Sequence, residues 1–382
     1  MKILGQIFCA ILIGLLLILG SAFSFTELAF ADEIVDFAIS YPNRYSTPSD
    51  LRGSTHEMAF HGDTLWITGQ NYDQLIAIKP DGTMTFYRMP QNSGPHGIAF
   101  DQAGQLWVTL EFAGEIIRLD PTHPNYDSAT KYDVQLDCTT CTEEINTHPH
   151  GLAIGSDGKT VWYTGKATGT IGRITPDGTI DTFPISTVNN PRATVGSVPI
   201  YIHADAEGNM WFTELVGNAI GRITSNGTVE EFKIPTLNSR PIAIVPGPDG
   251  NMWFTEEAGN NVGRIKQNCK TNCITEFPVP KLQNNVLLAA LAFDTDHNLW
   301  VQQYVDANHP SPPGSDHLIK IDKQILTTNS SDISNIPIDF YEVPTPGTVM
   351  HRIIRGADGN LWFTELKTDK VGKVNLSFLR DS

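Results

Sequence analysis

Long apolar runs are missing from this chain after its first thirty residues, and so are extended amphipathic helical patterns. The first absence leaves no later segment fit to cross a bilayer, because a spanning helix needs about 20 consecutive apolar residues. Positive charge is scarce too: 26 Lys and Arg stand against 42 Asp and Glu in 382 residues, a net charge of −16. So acidic a surface disfavours nucleic acid and anionic membranes as partners. No GxSxG, HExxH, P-loop or dinucleotide-binding fingerprint stands in the right context, so no common hydrolase, zincin or nucleotide-enzyme motif can be invoked. Cysteine is sparse at five residues. Cys9 lies in the apolar leader, and the others form two close pairs, Cys138/Cys141 in CTTC and Cys269/Cys273 in CKTNC. CxxC also serves zinc and thioredoxin chemistry, but the unequal spacings in an exported chain predict two local disulfides.

The leader is the exception to the missing apolar runs. Lys2 is followed by an almost wholly apolar stretch, Ile7 to Leu19, and Ala29-Phe30-Ala31 has the small-x-small form of a signal-peptidase site. Residues 1–31 are therefore expected to be a signal peptide of a secreted or extracytoplasmic protein, with a retained membrane anchor as the alternative. The sequons at Asn226, Asn329 and Asn375 are compatible with glycosylation of an exported chain.

What the chain has in plenty is one phrase. Gly250 to Ile265 reads GNMWFTEEAGNNVGRI, Gly208 to Ile223 reads GNMWFTELVGNAIGRI, and Gly359 to Val374 reads GNLWFTELKTDKVGKV. Looser copies begin at Asp63, Gly104, Lys159 and His297, giving seven in all. A period of about 40–50 residues signals a propeller. Each unit parses into four short strands, with Gly, Asn, Asp and Pro where turns need them and Trp and β-branched residues where a pleated face is buried. The expected fold is all-β: a single seven-bladed propeller of four-stranded antiparallel blades over residues 32–382. The expected blades are 51–90, 91–143, 144–185, 186–235, 236–280, 281–344 and 345–382. The last unit lacks a fourth strand. Residues 33–40, EIVDFAIS, resemble the other fourth strands and are expected to close the ring by completing that blade. Insertions at 121–130 and 306–316 belong in surface loops.

In such a disc, first strands line the central channel. The position opening the first strand is His56, His96, His150 and His351 in four contiguous blades, and Ile200, Ile242 and a residue near Ala289 in the other three. The residue ending the WFTE strand is Gly69, Leu110, Gly165, Glu214, Glu256, Gln303 and Glu365. Only the last blade has both a histidine and a carboxylate, His351 and Glu365. Imidazoles serve as bases near neutral pH or as metal ligands, and carboxylates suit hard cations. The blander reading is that the glutamates serve turn amides or a neighbouring arginine and the histidines bridge adjacent strands through backbone groups.

PHGIAF, GNMWFTE, GNAIGRIT and GPDGNMWFTE resemble the streptogramin B lyase (virginiamycin B lyase) family over nearly the whole mature chain. The resemblance implies a seven-bladed propeller that opens cyclic depsipeptides by elimination across the ester C–O bond, with magnesium. It implies His351 as the catalytic base and Glu365 as a metal carboxylate. Val349 stands where the family's other metal carboxylate is expected, and Ala289 or its neighbour replaces a second histidine. His56, His96 and His150 are the candidate substrate-binding residues. Magnesium is the cofactor implied by resemblance, and the histidine arc is also suited to a transition metal. The expected partner is a small or cyclic molecule at the channel mouth, bound by a monomer, with no membrane contact once the leader is removed. A non-catalytic propeller that binds a ligand or protein is the alternative function.

Overall fold

The computed structural model describes residues 34–39, 54–138, 143–185, 197–306, 314–329 and 331–381. The leader, residues 139–142 of the first cysteine segment and most of the 306–316 insertion lie outside them. Seven four-stranded antiparallel sheets form a seven-bladed propeller. The first strands are β2 (Thr55–His61), β6 (Pro95–Phe100), β10 (Pro149–Ile154), β14 (Pro199–Ala204), β18 (Pro241–Pro246), β22 (Val286–Phe293) and β26 (Met350–Arg355). Each pairs with the strand that follows it: β3 (Thr64–Gly69), β7 (Leu106–Leu110), β11 (Val161–Gly165), β15 (Met210–Glu214), β19 (Met252–Glu256), β23 (Leu299–Val305) or β27 (Leu361–Glu365).

Closure follows the sequence expectation. Strand β1 (Ile34–Ala38) pairs antiparallel with β28 (Lys370–Val374), with Ile34 opposite Val374 and Ala38 opposite Lys370. The seventh blade thus takes three strands from the C-terminus and one from the N-terminus, and no bare edge is left between them. A short helix not foreseen in the sequence, α1 (Leu376–Asp381), follows β28. Cys269 and Cys273 form a disulfide.

The repeated phrase can now be explained atom by atom. In five blades the aspartate of the turn before the Trp caps backbone amides and accepts the indole N–H, as Asp205 does for Trp211 at 2.8 Å and Asp294 for Trp300 at 2.9 Å. The Arg of GRI lies over that Trp, with Arg222 5.4 Å from the Trp211 ring and Arg264 5.5 Å from Trp253. The Gly of GRI is dictated by the Phe of WFT: a Cβ at Gly263 would sit 2.0 Å from the Phe254 ring. Asn218 and Asn260 hold φ of 52° and 53° in the turns after the WFTE strands, a left-handed conformation that asparagine tolerates.

Threonine fastens blade to blade. Thr68 donates to the His96 carbonyl at 2.8 Å, Thr109 to His150 at 3.2 Å, Thr164 to Ile200 at 3.0 Å, Thr213 to Ile242 at 2.7 Å, Thr255 to Ala289 at 2.5 Å, and Thr364 to His56 at 2.8 Å. In the sixth blade Gln302 takes this place and reaches one residue further, to the Arg352 carbonyl at 3.1 Å. Threonine at this position therefore ties six of the seven sheets to the next at the level of the channel.

Candidate functional site

Every first strand carries the same irregularity. Between Thr55 and Met58, His56 and Glu57 together oppose Thr68 alone, and the register shifts likewise in all seven first-to-second strand pairs. Such bulges re-aim side chains. The first bulge residue is His56, His96, His150, Ile200, Ile242, Ala289 or His351; the second is Glu57, Gly97, Gly151, Tyr201, Ala243, Ala290 or Arg352. Glycine is required in two blades, because a Cβ at Gly97 would lie 2.4 Å from the His150 carbonyl and one at Gly151 2.3 Å from that of Ile200.

The bulges bring the four predicted histidines together. Ring centroids are 5.0 Å apart for His56 and His96, 4.9 Å for His56 and His351, 5.6 Å for His96 and His351, and 3.7 Å for His96 and His150. His56, His96 and His150 are buried, while His351 keeps 19% of its side chain open. Nδ1 of His56 faces the Ser54 carbonyl at 3.0 Å, that of His96 the His150 carbonyl at 3.3 Å, and that of His150 the Ile200 carbonyl at 3.4 Å. A carbonyl can only accept, so Nδ1 carries the proton and Nε2 the lone pair in each ring. The bland reading of strand bridging therefore holds for the Nδ1 atoms of His96 and His150, and leaves their Nε2 atoms uncommitted to the backbone. Burial, aided by His351, lowers the His56 pKa to about 3. Burial likewise depresses His96 well below the ordinary imidazole range, with His150 adding to it. It brings His150 to about 4 although Glu111 opposes the shift. These three rings are neutral at pH 7.

Two carboxylates that the sequence reading passed over complete the site. Glu57 Oε1 lies 3.2 Å from His351 Nε2, without hydrogen-bond alignment, and accepts the Tyr201 hydroxyl at 2.5 Å; its Oε2 is 3.4 Å from Arg352 Nε. Burial alone would raise the Glu57 pKa, but Arg352 and His351 outweigh it and bring it to about 2. Glu111 accepts from Gln70 at 2.6 Å and Lys166 at 2.9 Å. It groups with His96 and His150. Its carboxyl is lowered despite burial by His150, His148 and Lys166. Signals for both existed: Glu57 is the second bulge residue, and Glu111 follows the residue at which the second strand ends.

Glu365 is the residue expected as a metal carboxylate. It is fully buried, accepts from Thr368 at 3.0 Å, and belongs to none of the metal-competent clusters among the described residues. The equivalent Glu256 is buried too and accepts from Asn261 at 2.9 Å. Burial, with Asp36 nearby, raises the Glu365 pKa to about 8.

A sequence model described as the Virginiamycin B lyase family matches residues 138–310. A solved streptogramin B lyase is 25% identical, with a TM-score of 0.69, covering 90% of this chain and 97% of its own. Virginiamycin B lyase from Staphylococcus aureus is 26% identical, with a TM-score of 0.67, covering 89% of this chain and 98% of its own. The chain is a virginiamycin B lyase-like propeller. A catalytically inactive histidine-to-alanine variant of the S. aureus enzyme, solved with quinupristin, is also 26% identical, with a TM-score of 0.68, covering 89% of this chain and 98% of its own. No curated protein matches. Of the four histidines, the 138–310 match contains only His150. The magnesium that resemblance implied does not fit this lyase-like propeller: Glu365 is turned into its blade and Val349 offers no carboxylate.

Proposed function

We propose that this is an exported, lyase-like propeller that binds a small cyclic, ester-bearing molecule at its histidine-lined channel mouth and opens it by elimination. The observation that carries the reading is His351, the most open ring of the cluster, with the Glu57 carboxylate 3.2 Å from its Nε2. A carboxylate beside an imidazole stabilises the imidazolium formed when it takes a proton. His351 removes the proton next to a carbonyl. The electron pair forms a carbon–carbon double bond, and the ester C–O bond breaks to release a carboxylate, with no water consumed. The likeness to a lyase solved with quinupristin supports the substrate class. The leader and the Cys269–Cys273 disulfide support export.

The test is incubation of residues 32–382 with a quinupristin-like cyclic depsipeptide, followed by mass spectrometry. Elimination gives a linear product of unchanged mass, whereas hydrolysis adds water. His351→Ala is expected to lower the rate by about 10²–10⁴-fold, the usual worth of a general base. Full activity in that variant, or no product from the wild type, sinks the reading. The turned-in Glu365 favours a second reading, binding without turnover, which calorimetry with the same compound distinguishes.

A further inference from the structure

The three-histidine cluster does more than line a mouth. His56, His96 and His351 each offer a ring nitrogen, and these atoms lie within 4.8 Å of one another. Their centroids form a triangle with sides of 4.9, 5.0 and 5.6 Å. A zinc-like ion about 2.0–2.1 Å from each nitrogen would hold the centroids roughly 3.2 Å away and, at tetrahedral angles, about 5 Å apart. The triangle is already close to that size. His150 does not fit the same arrangement, because its centroid is 3.7 Å from that of His96. It lies tilted against His96 instead, at an interplanar angle of 37°.

The second observation is independent of spacing. His96 is 2% exposed, and its Nε2 is buried with no hydrogen-bond partner. Buried polar atoms are ordinarily satisfied, so such an atom calls for a ligand. The arrangement around the rings is also that of a metal site's outer layer: backbone carbonyls hold the Nδ1 protons of His56 and His96, and the Glu57 carboxylate stands beside His351.

We propose that His56, His96 and His351 bind one divalent transition-metal ion of the zinc and cobalt class, leaving a fourth position open toward the mouth. Nitrogen-only donors select such ions over magnesium or calcium. The site spans the seam between the seventh and first blades and the joint between the first and second. The proposal does not rest on the elimination reading. The two draw on the same ring: with metal bound, His351 is a ligand and cannot take a proton, so the metal-loaded protein is silent in elimination.

The experiment uses residues 32–382 stripped with chelator and titrated with cobalt(II), read by its visible absorption, and with zinc by calorimetry. The expected result is one ion per chain and the intense visible band of four-coordinate cobalt. His96→Ala and His56→Gln should each weaken affinity by at least about 100-fold, the upper range for disturbing a metal's surroundings. His61→Ala, which lies outside the cluster, should change nothing. Thermal melting of each variant without metal checks that it is folded. If His96→Ala fails to fold, His56→Gln and His351→Gln decide. Binding below about 0.2 ions per chain, or variants that bind as well as wild type, overturns the proposal. So does a loss of binding confined to His150→Ala and Glu111→Gln, which would move the ion to the neighbouring cluster. None of these outcomes depends on turnover, so failure here and failure of the elimination reading are separable.

Discussion

The ring has two arcs built on one backbone plan. In blades 7, 1, 2 and 3 the first bulge residue is histidine, and in blades 4, 5 and 6 it is Ile200, Ile242 and Ala289. The bulge, the register shift and the inter-blade bond recur in both arcs. Their interiors differ except in blade 7, which has a histidine but shares the core of the apolar arc. One continuous apolar cluster runs through the fourth to seventh blades, including Trp211, Trp253, Trp300 and Phe363. The first three blades are served by smaller separate clusters, centred on residues such as Trp66, Ile67 and Trp107. The comparison teaches that the repeated phrase supplies the scaffold everywhere, while one bulge position decides whether a sector is core or site. The histidine arc accepts a desolvated polar centre where the apolar arc gains packing.

The largest test acts within the histidine arc, where the N-terminal strand completes the seventh blade. Deleting residues 32–43 removes β1 and exposes the β28 edge, together with buried Ile34. A fall in Tm of 10 °C or more, or failure to fold, is expected by thermal melting; an unchanged Tm would show that the ring closes without it. The next test separates the arcs by acid. His56, His96 and His150 have folded-state pKa values below the ordinary 6.5, so the unfolded chain binds more protons as pH falls. Their stabilising contribution is intact above pH 6.5 and is lost as pH drops toward about 3 to 4. Denaturant titrations should show stability declining over that window, and His96→Leu should flatten the decline; a slope unaltered by the substitution would contradict it. The smallest effect concerns Glu365. Its pKa is raised to about 8, so it costs no stability below about pH 4.5 and an increasing amount as pH rises through 8. Glu365→Gln should raise Tm by a few degrees at pH 9 and leave it alone at pH 4.5. A drop at pH 9 would show that the ionised form is needed.

The fold was legible because it is written seven times. Trp253, Phe254 and Gly263 satisfy one another locally, so a single copy reveals the constraint. The closing strand was legible for the same reason, as a displaced fourth copy. The histidines were legible by register. Glu57, Tyr201 and Arg352 were not, because they meet across the channel from the first, fourth and seventh blades, and no local pattern encodes that encounter. The burial of Glu365 was not legible, because its motif suggested a shared mouth position and its one partner, Thr368, lies in the following turn.

The substitution of Gln302 for threonine has a mechanical consequence. At six joints a short hydroxyl rivets the carbonyl of the first bulge residue, fixing where its side chain begins. At the seventh, the longer amide arm clamps Arg352, and the His351 carbonyl is left to the Tyr201 hydroxyl at 3.4 Å. The Tyr201 hydroxyl has a single proton and gives it to Glu57 at 2.5 Å, so it holds the His351 carbonyl weakly at best. His351 is thus the one histidine of the four whose carbonyl no neighbouring hydroxyl rivets, and the most open imidazole hangs from the loosest joint in the ring.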